Sequence, residues 1–127
     1  MYVIDNQSRQ AVYEQIVAQT ERFVMTGLMT ADQPMPSVRS LSMELSVNPN
    51  TIQKAYAELE RRGIIYVVTG KGSFISSGAK DSLAIAKRGR LAEIEAIAGE
   101  CAIAGIDKQL IYDAVDKGYG RNGGNEQ

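Results

Sequence analysis

The 127-residue sequence contains no histidine and a single cysteine, Cys101. These absences close several chemistries at once. One thiol forms no intrachain disulfide, no Cys/His zinc site can be assembled, and no Ser-His-Asp or Cys-His nucleophile can be built. Ser37, Asp5 and scattered carboxylates do not fall into a recognisable acid–base setting, so the chain does not read as an enzyme and no cofactor is expected. Cys101 lies on an apolar helix face and is expected to be a buried structural thiol. No apolar run approaches the roughly 18 residues of a membrane span. The opening Met1-Tyr2-Val3-Ile4-Asp5 lacks both the basic region and the apolar core of a secretory signal. A cytoplasmic location without membrane contact is the expectation.

A strong charge of either sign is also missing. Residues 1–75 hold seven Lys/Arg and seven Asp/Glu, and the whole chain has a net charge of −1. A basic domain is the usual footprint of nucleic-acid binding. Any such role must therefore rest on how the charges are distributed, with weak non-specific binding and a modest salt slope.

What is present is a core and a sequence of stops and starts. Apolar residues make up 44% of the chain, enough for a folded domain. The length suits one compact domain with a small appendage. The organising stretch runs from Pro36 to Ile75. Ser37 can cap a helix by accepting from free backbone N–H groups of the first turn, and Val38, Leu41 and Leu45 follow at helical spacing. Asn48 is a second N-cap, with Pro49 at the first helical position, where its missing N–H is harmless. Ile52, Ala55, Tyr56 and Leu59 form the inward stripe of this second helix, and Gly63 is placed to end it in a left-handed conformation. About three residues separate the two helices, which predicts a sharp helix-turn-helix crossing. Ile64 to Val68 is β-branched and aromatic, Thr69-Gly70-Lys71-Gly72 is turn chemistry, and Ser73-Phe74-Ile75 returns as a second strand.

With that stripe inside, Asn50, Thr51, Gln53 and Lys54 point outward near the helix start. The corresponding residues of a helix-turn-helix reach base edges in the major groove. Asn and Gln suit adenine, and Thr meets a thymine methyl or a phosphate. Arg39 is placed to hold a phosphate or reach a guanine. Arg39, Lys54 and Lys71 share one predicted face, and the glycines around Lys71 let the backbone approach a phosphate. Each feature alone describes ordinary solvated surface or an ordinary hairpin turn. Their combination and order carry the reading.

Met35 to Leu41, Val47 to Tyr56, Glu58-Leu59-Glu60 and Gly70 to Phe74 together resemble the GntR family of bacterial transcription factors, and within it the small YtrA-type subfamily. The likeness is strong over roughly residues 8–77. It implies DNA contacts from Ser37, Arg39, the Asn48-Pro49-Asn50-Thr51-Ile52-Gln53-Lys54 segment and the Gly70-Lys71-Gly72 tip. Some branches of the family carry arginines on the recognition helix where this chain has Pro49 and Gln53, which changes the expected base preference.

Around this stretch the chain reads as follows. Residues 1–8 are an extended lead-in. A first helix runs from Arg9 to Thr26, capped by Ser8 and closed by Gly27. Leu28 to Met35 is a loop. A boundary falls at residues 77/78, dividing a winged helix-turn-helix domain, 1–77, from an appendage, 78–127. One appendage helix opens near Asp81 or Ser82 and ends at Gly105. A shorter one, capped by Asp107, ends at Gly118 before a frayed tail. Leu83, Leu91, Ile94, Ile97, Ala98, Cys101, Leu110 and Ile111 mark apolar stripes that two such helices cannot bury alone; they either fold back on the first domain or, the preferred reading, meet the same helices of a second copy. The fold expected is mainly α with a small β-hairpin: a winged helix-turn-helix followed by a two-helix C-terminal dimerisation element.

The function expected is a homodimeric, sequence-specific DNA-binding transcriptional regulator, acting as a repressor on a palindromic operator through recognition helix 49–61 and wing 64–75. Its partners are a double-stranded DNA operator and a second copy of itself. A small-molecule effector is compatible with the appendage, but no residue constellation points to one. The competing reading is a winged-helix protein-interaction module that never touches DNA. Zero net charge in the first domain favours it, and the polar Asn50-Thr51-Gln53-Lys54 surface disfavours it.

Overall fold

A computed structural model of the protein describes residues 1–122. Helix α1, Val12–Met25, starts later than the periodicity suggests. The Ser8 hydroxyl accepts from the Gln10 N–H in a local turn (3.0 Å) and does not cap the helix. Glu14 instead reaches back to accept from the Ala11 N–H at 3.0 Å, which is half of a capping box. Gly27, at φ +82°, closes the helix.

The lead-in is part of the core. The Gln19 side-chain amide accepts from the Val3 N–H (2.9 Å) and donates to the Val3 carbonyl (2.6 Å). Gln15, one turn earlier, does the same to Asp5, at 2.9 Å in both directions. These two amides satisfy the backbone of an extended segment much as a neighbouring strand would. Tyr2 is thereby buried, its hydroxyl 2.7 Å from that of Thr20 and its ring edge-on to Phe23 at 5.1 Å.

Helices α2 (Val38–Leu45) and α3 (Pro49–Arg61) form where their caps place them. Ser37 accepts from the Ser40 N–H (3.0 Å) and Asn48 from the Asn50 N–H (2.8 Å). The turn between them passes through Ser46 at φ +54°, and the buried Ser42 hydroxyl donates to the Val47 carbonyl at 2.5 Å. Gly63 follows α3 at φ +77°. Strands β1 (Ile65–Val68) and β2 (Gly72–Ile75) pair antiparallel, with Ile65 opposite Ile75 and Val68 opposite Gly72.

The loop expected before Pro36 does more than connect. Pro34 bridges to Phe74. The Met35 N–H donates to Ser73 (2.8 Å), the Ile75 N–H to Gln33 (2.9 Å) and the Asp32 N–H to Ile75 (2.7 Å). β2 is therefore flanked on both edges. Pro34 obscures this in the sequence, because proline lacks a ladder donor and is confined to edge positions.

The core joins Ile16 of α1, Leu41 of α2, Ile52 and Leu59 of α3, and Ile64, Ile65 and Ile75 of the wing. Ala79 and Leu83 of α4 (Ala79–Arg88) are buried in the same cluster. The first compact unit consequently extends over Met1–Ala86, and the second opens at Lys87. The boundary lies beyond 77/78, because the first turns of α4 belong to the core.

The second unit differs from expectation in its helices. The appendage helix expected to run unbroken to Gly105 is interrupted at Gly89-Arg90, giving α4 and α5 (Leu91–Ile103). Arg90 holds the start of α5 through Glu93 at 3.1 Å. Gly105 follows α5 at φ +79°. Asp107 accepts from the Gln109 N–H (2.8 Å) ahead of α6, and α6 runs from Lys108 through Gly118 to Asn122. Residues 78–122 thus form three helical segments where two were expected, of which α4 is anchored in the first unit and α6 is the longest. The rest of the expected frayed tail lies outside the described residues. No helix among the described residues is long and apolar enough to cross a membrane.

Candidate nucleic-acid interface

Helix α3 presents two distinct faces. Ile52, Ala55, Tyr56 and Leu59 are buried, while Asn50, Gln53 and Lys54 are exposed and Thr51 is half-buried. The buried face packs on α1 and α2. The Tyr56 hydroxyl donates to the Pro36 carbonyl at 2.7 Å, tying α3 to the entry of α2. Burial pushes the Tyr56 phenol well above its ordinary pKa, so it stays a neutral donor.

The exposed polar residues divide by what they are already doing. Ser37 and Asn48 spend a side-chain oxygen on capping, so Asn48 keeps its amide NH₂ and Ser37 its hydroxyl proton for an outside acceptor. Pro49, at the first helical position, carries no N–H. Asn50, Gln53 and Arg39 stand exposed with no side-chain partner among the described residues. Lys54 differs: its Nζ lies 4.1 Å from the centroid of the Tyr13 ring.

At the wing, Gly70 (φ +80°) and Gly72 (φ +114°) carry the turn, with nothing near the side where a side chain would project. Lys71 between them is exposed, and its N–H donates to the Val68 carbonyl (2.9 Å). The Tyr66 and Phe74 rings stack at 5.6 Å. The Tyr66 hydroxyl donates to Asp32 at 2.8 Å, which raises the phenol's pKa. Asp32 itself sits at φ +65°, an uncommon conformation for a non-glycine residue.

Behind α3 lies an ion-pair network. Glu58 accepts from Arg61 (2.9 and 2.6 Å) and Arg62 (2.6 Å), and Arg62 also donates to the buried Glu21 of α1 (2.9 Å). The two guanidinium groups hold the Glu58 carboxyl at about 2, below its ordinary 4.5. The i, i+3 and i, i+4 spacing within α3 is legible in the sequence. Tyr13, Asp32 and Glu21 are not, because their partners are distant in the chain.

The residues expected to form the pairing surface are distributed unevenly. Leu91, Ile94, Ile97 and Leu110 are exposed, and Ala98 and Ile111 are half-buried. Cys101 is half-buried rather than enclosed, because α5 has no buried residue among those described. Leu83 does not belong with them: it is a core residue of the first unit.

Comparison with known proteins agrees with this geometry. The description "Bacterial regulatory proteins, gntR family" matches residues 12–75. The chain is 36% identical over 114 residues to the HTH-type transcriptional repressor YtrA of Bacillus subtilis (strain 168), spanning 89% of this chain and 88% of that protein. It is similar to a solved GntR family transcriptional regulator from Listeria monocytogenes, with a TM-score of 0.71 and 35% identity over 90% of this chain and 98% of that one. The structure of AraR(DBD) in complex with operator ORX1 is similar to 58% of this chain and 92% of that one, with a TM-score of 0.53 and 26% identity. On the match over α1 to β2 and on the near full-length likeness to YtrA, this chain belongs to the gntR family of bacterial regulatory proteins.

Proposed function

We propose that the chain is a homodimeric, sequence-specific DNA-binding repressor of transcription acting at a palindromic operator. α3 enters the major groove and reads base edges with Asn50 and Gln53, with Thr51 at its half-buried flank. Arg39, Lys54 and the free donors of Ser37 and Asn48 hold the flanking backbone, beside Pro49. The Gly70-Lys71-Gly72 tip reaches the neighbouring minor groove or phosphates. The observation that carries this reading is the polarity of α3: one face is sealed into the core and the other offers uncommitted amides at its first turns. The name of the YtrA relative supports repression, and the AraR(DBD) complex supports operator binding by this fold.

Pairing rests on the second unit. Leu91, Ile94 and Ile97 of α5 and Leu110 of α6 are more than half exposed. Apolar residues of that size need cover. A second copy supplies it and places two recognition helices about one helical turn apart on the duplex.

Footprinting of the full chain on the DNA upstream of its own gene tests the reading. The expected result is protection of two symmetric half-sites and loss of reporter expression when the protein is supplied. No protection at physiological salt would remove it in favour of a protein-interaction module.

A further inference from the structure

We infer that Tyr13 is a positioning residue that assigns Lys54 to the phosphate backbone and leaves base selection to Asn50 and Gln53. The inference rests on the DNA-binding reading above and deepens it.

The Lys54 cation has few acids within its reach that are free to take it. One turn on along α3 lies Glu58, the natural i, i+4 partner for a lysine. That carboxylate is already engaged by Arg61 and Arg62 at 2.6–2.9 Å. Glu21, the buried acid of α1, is engaged by Arg62 at 2.9 Å. The arginines thus occupy Glu58 and Glu21, and Glu14 of α1 is turned to the Ala11 N–H at 3.0 Å. The Lys54 ammonium rests instead over the Tyr13 ring, 4.1 Å from its centroid, well inside the roughly 6 Å reach of cation–π attraction.

The choice of partner matters chemically. A carboxylate would neutralise Lys54, whereas a π face orients it and leaves its charge intact. Tyr13 is half-buried and packed against the core, so the ring is a fixed platform. It belongs to α1, on which α3 seats its buried face. The platform therefore ties the cation to α1, beside the exposed face of α3. A lysine ammonium is a compact point charge that suits a phosphate without demanding bidentate geometry. Reading a guanine would require the chain to leave the ring and extend into the groove.

The test is a set of equilibrium titrations of the full chain on the footprinted upstream duplex and on its single-base-pair variants, repeated across salt concentrations. Wild type is compared with Lys54→Met, Tyr13→Phe, Tyr13→Leu and the Lys54→Met/Tyr13→Leu double variant. Lys54→Met is expected to weaken binding several-fold, by the same factor on every duplex. It is also expected to flatten the logarithmic salt dependence by about 0.9 for each phosphate it no longer neutralises. Tyr13→Phe, which keeps the π face, retains wild-type affinity and slope. Tyr13→Leu reproduces Lys54→Met, and the double variant is no weaker than either single one. A changed ranking of base-pair variants in Lys54→Met, an unchanged salt slope in Tyr13→Leu, or losses that multiply in the double variant would each overturn the inference. Where circular dichroism shows Tyr13→Leu to be unfolded, Tyr13→Met takes its place under the same expectations, and Lys54→Met still tests the phosphate assignment because Lys54 is exposed. Failure of the wild-type protein to bind any duplex is a separate result and overturns the DNA reading itself.

Discussion

Glu58 shows how a single side chain sets a pH window. Its carboxyl is held at about 2, down from 4.5, because Arg61 and Arg62 hydrogen-bond its charged form. A depressed carboxyl contributes stability that is fully present above its unfolded value and is lost as pH falls towards the folded one. Melting temperature is therefore expected to drop between 4.5 and 2 in the wild type and to drop less steeply in Glu58→Gln. Parallel curves for the two proteins would contradict this. Gln53→Ala tests base reading at the same scale. The expected loss is about 1–3 kcal/mol of operator affinity with relaxed preference at one base pair, measured by titration against base-pair variants. Residues whose work is local were legible in the sequence. Ser37 and Asn48 are recognisable as caps because donor and acceptor lie within three residues. Tyr13 was not, since its partner Lys54 comes into range only when α1 packs on α3.

At the scale of elements, α3 depends on its buried stripe more than on its caps. Leu59 is 0% exposed. Leu59→Ala is expected to destabilise the protein by about 2–5 kcal/mol, read from the midpoint of chemical denaturation; Asn48→Ala removes only a cap, about 1 kcal/mol. The glycines show why element boundaries were harder to read. α4 ends just ahead of Gly89, whereas Gly118 and Gly120 lie within α6. A helical glycine is disfavoured by only about 1 kcal/mol relative to alanine, and tertiary context overrides that. The pairing of residues 32–35 with β2 escaped detection for a related reason. Its signal is a backbone ladder beside Pro34, and nothing in the side-chain pattern reports it.

For the whole molecule, the division into units follows from burial. Ala79 and Leu83 anchor α4 in the first core, so the helix that leads out of the DNA-binding unit is gripped by it at one end. The pairing surface proposed for the second unit predicts that Ile94→Glu combined with Ile97→Glu abolishes self-association in sedimentation velocity while leaving the first unit folded. An unchanged sedimentation coefficient would remove α5 from that role. α5 itself carries the wider consequence. Glu93, Glu95 and Glu100 are its charged side chains, and between them Leu91, Ile94, Ile97 and Ile103 stand exposed; a helix with so much apolar surface is at rest only when that surface is covered. Under the pairing proposed above, cover from a second chain makes the folding of the second unit answer to dilution, with a melting point for that unit that climbs as more protein is added. Under that pairing the copy number of the regulator becomes a signal in its own right: scarcity parts the two readers although each keeps its own core.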